Sequence, residues 1–282
     1  MLLGIILLIS AAAAGFTCLS AGAFYSLDWL WLLPVSLLGS FLLQAGIVFG
    51  ALVLICAFID PEKERDTDSL WFRWFVMQLV HAIVTVLPVR VKLSGQEKLP
   101  ADGRFLLVSN HIDNIDPAVF YYCFPKSQMA FVGKKETKEM FLVNKVMPKL
   151  LCPTVDREND REALKSILKC ISLLKNDTVS IAIFPEGRIN PYRKLAHFRP
   201  GVFKIAQKAN VPIVVCTLRG SNHVISRLLK GKGSEVEVRL LDVVSAESLQ
   251  GRTTVEIAEQ IYNIMAQDLG PENILTAEEE NA

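Results

Sequence analysis

The sequence predicts an α/β fold, with a mixed, partly parallel sheet flanked by helices and preceded by an N-terminal transmembrane helical hairpin. Two observations lead to this prediction. From Met1 to Ile59 the only charged side chain is that of Asp28. Beyond Pro88, in contrast, short apolar runs alternate with charged segments that have helical periodicity. Long uncharged segments are typical of membrane spans, and strands that alternate with helices are typical of α/β domains.

The first region, residues 1–60, is predicted to form two transmembrane helices. The uncharged stretches on either side of Asp28 each exceed the roughly 20 residues that cross a bilayer. We place the helices at 2–24 and about 33–56. A cleaved signal peptide is the alternative for the first stretch, but no Lys or Arg precedes Leu2, and a second apolar stretch follows at once.

Basic residues favour a cytoplasmic position for the rest of the chain. Lys63, Arg65 and Arg73 follow the second span, whereas the loop at 25–28 has no Lys or Arg. Because positive residues are enriched on the cytoplasmic side, we expect an integral membrane protein whose C-terminal domain lies on the cytoplasmic face. The compact length and the hairpin favour a bacterial inner membrane over an internal eukaryotic membrane.

Residues 61–88 are predicted to be a charged junction followed by an interfacial amphipathic helix. The stretch 70–87 is apolar and has tryptophans near its start, which suits a helix lying in the membrane surface. A third span and a core helix are the alternatives. Four polar residues fall on one side of the helical wheel, namely Arg73, Gln78, His81 and Thr85.

Residues 89–275 are predicted to be the cytoplasmic α/β domain, and the acidic residues 276–282 a disordered tail. The strands are expected at 89–93, 105–109, 129–133, 179–184, 211–218 and 235–241, and the helices at 117–124, 157–175, 202–209 and 254–267.

Net charge and cysteine spacing argue against nucleic-acid binding and against a cysteine metal site. The formal net charge is +1, which does not suit a polycation that binds nucleic acid, so we expect no nucleic-acid partner. The six cysteines show no metal-ligand spacing, and in a cytoplasmic domain they are expected to be reduced. The sequence therefore predicts no metal site.

A first polar cluster, Asn110 to Asp116, follows the apolar run 105–109. The simple interpretation is that Asp116 caps a helix that begins with Pro117. The functional interpretation is that the loop brings the carboxylate of Asp116 against His111, so that the imidazole can remove a proton from a hydroxyl group. Asp113 is the rival carboxylate.

A second cluster, Phe184-Pro185-Glu186-Gly187-Arg188, follows the apolar run 179–184. The simple interpretation is a turn with an exposed ion pair between Glu186 and Arg188, which would contribute little to stability. The functional interpretation is a ligand site, because such sites form at the carboxyl ends of strands in α/β folds. Basic residues near in sequence would suit a small anionic ligand.

Together these clusters resemble the glycerolipid acyltransferases. The segment from His111 to Asp116 resembles the H-x4-D catalytic block of that family, and 184–188 resembles its F-P-E-G block. Three further segments resemble other blocks in the same order along the chain, at 131–136 with 155–157, at 198–201 and at 211–214. The resemblance covers about residues 88–220. One departure is Arg188, which stands where many members have threonine.

The resemblance implies a role for each matched residue. His111 would be the general base and Asp116 its partner. Glu186, Gly187 and a nearby arginine would belong to the site of the acceptor phosphate. The arginine candidates are Arg188 and Arg199, and Lys135 and Arg157 are further basic groups implied near that phosphate.

The resemblance also implies a reaction. An acyl chain would pass from acyl-CoA or acyl-carrier protein to the sn-2 hydroxyl of 1-acylglycerol 3-phosphate (lysophosphatidic acid), giving phosphatidic acid in phospholipid synthesis. No cofactor would be needed beyond the acyl donor, and the bilayer would be a further partner. The alternatives are another acceptor, such as glycerol 3-phosphate or another lysophospholipid, and a catalytically silent membrane protein that binds anionic lipid.

Overall fold

The computed structural model describes residues 1–156 and 159–280 and divides the chain into two compact units, Met1–Pro61 and Glu62–Ala282. The first unit consists of helix α1 (Leu2–Ser20) and helix α2 (Trp29–Ala57). Both helices are long and apolar enough to cross a membrane, judged by length and composition. Helix α1 ends four residues before the predicted boundary, because Gly22 adopts a left-handed conformation and turns the chain.

Small side chains and one polar contact join the two helices of the first unit. Ser10, Ala14 and Cys18 are buried at four-residue spacing along α1, so they form one face of that helix. The carboxamide of Gln44 in α2 donates a hydrogen bond of 2.8 Å to the hydroxyl of Ser10. In an apolar surrounding such a bond satisfies both polar groups and fixes the register of the helices.

The second unit contains the predicted α/β domain, residues 89–275, together with the segments before and after it. Its helices are α3 (Leu70–Val86), α4 (Asp116–Cys123), α5 (Val143–Lys149), α6 (Asp160–Lys175), α7 (Lys204–Ala209), α8 (Val224–Leu228), α9 (Thr254–Leu269) and α10 (Ala277–Glu280). Its strands are β1 (Val89–Ser94), β2 (Leu106–Val108), β3 (Met129–Phe131), β4 (Gly133–Lys134), β5 (Thr154–Val155), β6 (Ser180–Ile183), β7 (Ile213–Arg219) and β8 (Ser234–Val244).

The order of strands in the main sheet is β1-β8-β7-β2-β6-β3. Strands β7, β2, β6 and β3 are parallel to one another, β8 is antiparallel to β7, and β1 is parallel to β8. The loops after the four parallel strands therefore meet at one edge, which we call the carboxyl edge, and β8 and β1 begin at this same edge. The prediction of a mixed, partly parallel sheet flanked by helices is confirmed.

The core lies on both faces of the short central strands. All three residues of β2 and all four residues of β6 are buried. Phe120 of α4 and Ile261 of α9 are also fully buried. This explains why these strands read as continuous apolar runs, as expected for parallel strands covered by helices on both faces.

Helix α3 belongs to this domain, and one side of it is buried. Arg73, predicted to lie on a polar stripe, is buried and forms a bidentate ion pair with Asp68, at 2.6 and 3.1 Å. Its guanidinium also donates to the carbonyl groups of Met129 and Leu150, at 2.6 and 3.0 Å. The stripe prediction is wrong for this residue, because these partners satisfy its charge inside the domain.

Structure also differs from prediction at the acidic tail. Residues up to Glu280 form α10, and Glu279 makes a 2.6 Å ion pair with Lys194. The backbone N–H groups of Thr276 and Glu279 each donate to the other residue's side chain, which starts the helix. The predicted disorder is therefore wrong for the described part of the tail, and residues 281–282 lie outside the described residues.

The buried ion pair of Arg73 generates a stability prediction. Arg73→Ala leaves the buried carboxylate of Asp68 without its partner, so we expect a loss of about 3–5 kcal/mol in the free energy of unfolding. The measurement is thermal unfolding of the purified protein in detergent. Lys92→Ala is the control, because its pair with Glu235 is half exposed and should contribute about 1 kcal/mol or less. Equal losses in the two variants would contradict the prediction.

Candidate active site

Asp116 and His111 meet in the loop after β2. Asp116 is fully buried and is the first residue of α4, with Ile115 at the capping position. Its Oδ2 atom lies 2.8 Å from Nδ1 of His111 and accepts the backbone N–H groups of Ile112 and Asp113, at 2.8 and 2.9 Å. The capping interpretation of Asp116 is therefore wrong, since its side chain bonds to the loop before the helix.

A residue just after β7 contacts the other oxygen of the same carboxylate. The hydroxyl of Ser221 donates to Oδ1 of Asp116 at 2.6 Å, and Ser221 is buried. The preceding Gly220 has a φ of 81°, and a Cβ atom there would lie 2.3 Å from the carbonyl oxygen of Glu235. Only glycine fits this turn, which directs Ser221 towards the carboxylate.

The contact with Asp116 fixes the orientation of the His111 ring. In the neutral imidazole Nδ1 carries the hydrogen towards Asp116, so Nε2 keeps the lone pair that can accept a proton. The ring stacks on Phe184, with centroids 4.1 Å apart and planes 6° apart. The side chain remains 18% exposed, so a substrate can reach a histidine that is otherwise held in place.

Glu186, in the loop after β6, binds the backbone of His111. Its Oε1 atom accepts the backbone N–H of His111 at 2.7 Å, and its Oε2 atom accepts that of Ala196 at 2.9 Å. The side chain is buried, so the simple interpretation of an exposed ion pair is wrong. Burial raises the pKa of Glu186 to about 8, the two backbone hydrogen bonds oppose this increase, and the charge of Asp116 adds to it.

The predicted arginines lie on the loop that follows Glu186. Gly187 has a φ of 78°, and a Cβ atom there would lie 2.9 Å from Nε of Arg199, so this side chain packs against the glycine. Arg188 and Arg199 are both exposed. The loop also carries Arg193, which donates to the carbonyl oxygen of Ile112 at 2.6 Å.

The remaining predicted residues lie beyond β3. Lys135 is exposed at the start of a turn of 3-10 helix after β4 and pairs with Asp156 at 2.8 Å. Because β3 ends at the carboxyl edge, the segment that carries this lysine leaves the sheet at the same edge as the loop of His111. Arg157 lies outside the described residues.

Sequence reasoning missed residues that position this site. Asn110 is buried and exchanges two hydrogen bonds with the backbone of Leu218 in β7, at 2.9 and 2.8 Å. This pairing ties the loop of His111 to the end of the neighbouring strand. The position of Asn110 next to His111 in the sequence could have indicated its role. Ser221 is distant in sequence from His111 and Asp116, and no motif there indicated that it contacts Asp116.

The geometry supports proton transfer by a histidine that is backed by a buried carboxylate. A carboxylate placed as Asp116 is can stabilise an imidazolium ion at the neighbouring histidine, and basic side chains lie on the loops at the same edge of the sheet. In the parts of the chain that the structure describes, no group of three or more His, Cys, Asp or Glu residues is placed to hold a metal ion.

Comparisons with known proteins identify the same region. The family model described as Acyltransferase matches residues 90–219. A Mycoplasma pneumoniae protein described as "Probable 1-acyl-sn-glycerol-3-phosphate acyltransferase" is 31% identical over 52% of this chain and 55% of its own length. A 1-acyl-sn-glycerol-3-phosphate acyltransferase of Borreliella burgdorferi is 26% identical over 60% of this chain and 68% of its own. The alignment with the Mycoplasma relative thus spans about half of that protein.

A solved structure shares the fold. The crystal structure of the 1-acyl-sn-glycerophosphate (LPA) acyltransferase PlsC from Thermotoga maritima aligns with a TM-score of 0.58. The alignment covers 78% of this chain and 87% of the other, at 22% sequence identity.

Burial of Glu186 generates a prediction about pH. Its pKa of about 8 in the folded state lies above the ordinary value of 4.5, so the folded state binds the proton more tightly than the unfolded state. Stability is therefore expected to fall as pH rises from about 4.5 towards 8. In Glu186→Gln this fall should become smaller, and a mismatch between the amide NH2 and a backbone N–H should cost roughly 1–3 kcal/mol.

The measurement is the melting temperature of both proteins across this pH range. Glu259→Gln, an exposed position on α9, is the control and should keep the wild-type profile. If Glu186→Gln also kept that profile, the buried carboxyl group would not be the source of the pH dependence.

Proposed function

Because residues 90–219 match the family model described as Acyltransferase, we propose that the chain transfers an acyl group to the sn-2 hydroxyl of 1-acylglycerol 3-phosphate. The product would be phosphatidic acid, made for phospholipid synthesis. The observation that carries the proposal is the contact of 2.8 Å between His111 and the buried Asp116 at the carboxyl edge of the sheet. The named activities of the relatives support this choice of acceptor.

The reaction begins with the acceptor hydroxyl at Nε2 of His111. As the hydroxyl oxygen attacks the thioester carbonyl carbon, its proton passes to the imidazole, and the negative charge of Asp116 stabilises the imidazolium ion. The tetrahedral intermediate then collapses, the carbon–sulfur bond breaks, and the imidazolium returns the proton to the departing thiolate. His111 ends neutral, and no covalent acyl-enzyme forms.

The acceptor phosphate is assigned to the loop after Glu186. Gly187 allows Arg199 to lie against the backbone, and Arg188 and Arg199 present exposed guanidinium groups. Arginine suits a phosphate because its planar group donates two parallel hydrogen bonds. Lys135 and Arg157 are assigned as further basic groups of this site. Glu186 contributes by holding the backbone of His111.

The acyl donor is proposed to be acyl-CoA or acyl-carrier protein, with no resident cofactor or metal. Membrane attachment is proposed through α1 and α2, which are apolar enough to span a bilayer. Trp71 and Trp74 are exposed near the start of α3, where amphipathic indoles suit a membrane interface. We place the domain on the cytoplasmic face, in keeping with the basic residues that follow α2.

Substitutions at the base and its partner test the reaction. His111→Ala and Asp116→Asn are each expected to lower acyl transfer by about 10²–10⁴-fold, the usual contribution of general base catalysis. Asparagine can still accept the loop N–H groups and donate to Ser221, so Asp116→Asn should unfold within a few degrees of the wild type. Its lost charge no longer supports the imidazolium ion.

The assay follows labelled acyl-CoA, and then acyl-carrier protein, with lysophosphatidic acid and purified protein in detergent. Full activity of a folded Asp116→Asn variant would rule out Asp116 as the partner of the base. If the wild type made no product, glycerol 3-phosphate and other lysophospholipids would be assayed next. Failure of all acceptors would favour the silent lipid-binding alternative.

Phosphate recognition has its own test at Arg199. A hydrogen bond from a charged group contributes about 1.5–3 kcal/mol, so Arg199→Ala should raise the KM for lysophosphatidic acid about 10–100-fold. The turnover number should change little, and the rate with monoacylglycerol, which has no phosphate, should not fall. Lys208→Ala removes an exposed charge from α7 and serves as the control. Equal losses with both acceptors would count against phosphate binding.

A further inference from the structure

Exposed apolar side chains gather around α8, outside the site described above. Leu229 is 82% exposed and Ile225 is 54% exposed, although both are large aliphatic residues. Ile83 and Val86, near the end of α3, are more than half exposed as well. Isolated exposed aliphatic residues are common, but a group of four calls for an explanation.

These residues come from two segments that the sheet brings together. The backbone N–H of Ser234, at the start of β8, donates to the carbonyl oxygen of Pro88 at 2.8 Å. In the parallel register of β1 and β8, Val89 lies opposite Ser234. The end of α3 therefore lies beside the turn that connects α8 to β8.

Basic side chains surround the apolar ones. Arg227, Lys230 and Lys232 are exposed within and just after α8, and Arg90 is exposed on β1. Arg90 and Arg227 line an open depression of about 460 Å³. The carboxylate at this depression, Glu235, is already paired with Lys92. The result is a positively charged surface with aliphatic side chains on it, which we call the α8 surface. It comprises Ile83, Val86, Arg90, Ile225, Arg227, Leu229, Lys230 and Lys232.

The α8 surface lies at the carboxyl edge. Strand β7 ends at this edge and continues through Ser221 into α8, and β8 starts there. Ser221 holds Asp116, so one short segment connects the α8 surface with the partner of His111. A partner bound to the α8 surface would therefore lie at the same edge of the sheet as His111.

We propose that the α8 surface is a membrane-contact site that binds a bilayer containing anionic lipids. The aliphatic side chains would enter the boundary between headgroups and acyl chains, and the cations would bind lipid phosphates. Charge complementarity favours this occupant, because four basic side chains border the apolar ones. The contact would turn the edge with His111 towards the bilayer. The inference concerns the orientation of the domain and does not depend on the acyl-transfer reaction.

The test measures lipid contact directly in the full-length chain. Leu229→Cys is labelled with an environment-sensitive fluorophore and inserted into lipid nanodiscs, with doxyl lipids as quenchers. Labelling is selective because the native cysteines are buried or half-buried. Ser248→Cys, exposed near the end of β8 at the opposite edge, is the matched control. Nanodiscs contain phosphatidylcholine with or without phosphatidylglycerol.

In the presence of phosphatidylglycerol, the label at position 229 should be quenched about twofold or more relative to the label at 248. Lys230→Glu combined with Lys232→Glu should abolish this quenching, whereas Lys175→Glu with Lys208→Glu, the same charge change elsewhere, should leave it intact. An unquenched label at 229, equal quenching at both positions, or quenching that is unaffected by Lys230→Glu and Lys232→Glu would each overturn the proposal. Because the quencher is carried by lipid, contact with a second copy of the chain would give no quenching.

Discussion

The site depends on the hydrogen bonds that the buried carboxylate of Asp116 accepts. This carboxylate is fully buried and accepts hydrogen bonds from the loop after β2 and from Ser221 after β7, while its Oδ2 atom contacts the ring of His111. A buried carboxylate is stable only when its oxygens are satisfied in this way. The same contacts fix the conformation of the loop and the tautomer of the histidine. The carboxylate that stabilises the loop is therefore the same one that orients the ring of His111.

Glu186 repeats this arrangement on the other neighbouring strand. It joins the loop after β2 to the loop after β6, because its two oxygens accept the backbone N–H groups of His111 and Ala196. His111 is thus held between two buried carboxyl groups, one acting on its ring and the other on its backbone. The proximity of these charges contributes to the raised pKa of Glu186.

Several elements of the domain were predictable because their local signals are strong. The strands β2 and β6 were visible as apolar runs, and α9 as a periodic segment, with boundaries within two residues of the structure. Other predictions went wrong where tertiary contacts compete with local preference. Arg73 was predicted to lie on the polar side of an amphipathic helix, yet Asp68 and two carbonyl groups satisfy its charge inside the domain. The acidic tail appeared to be disordered, but Lys194 binds Glu279 of the short helix α10.

The class of fold, the apolar hairpin and the identity of the residues around which the site forms could all be predicted from the amino-acid sequence. These features depend on composition, periodicity and short spacing, which local physics controls. The contacts that each of these residues makes became visible only in the folded chain. From the sequence Asp116 could be either a helix cap or the partner of His111, and in the structure its carboxylate bonds to the preceding loop, to His111 and to Ser221. Glu186 could be either an exposed charge or part of a ligand site, and in the structure it is buried and accepts the backbone N–H groups of His111 and Ala196. Such roles arise because the parallel strands bring distant segments to one edge, and burial there allows only polar groups that find partners across the sheet.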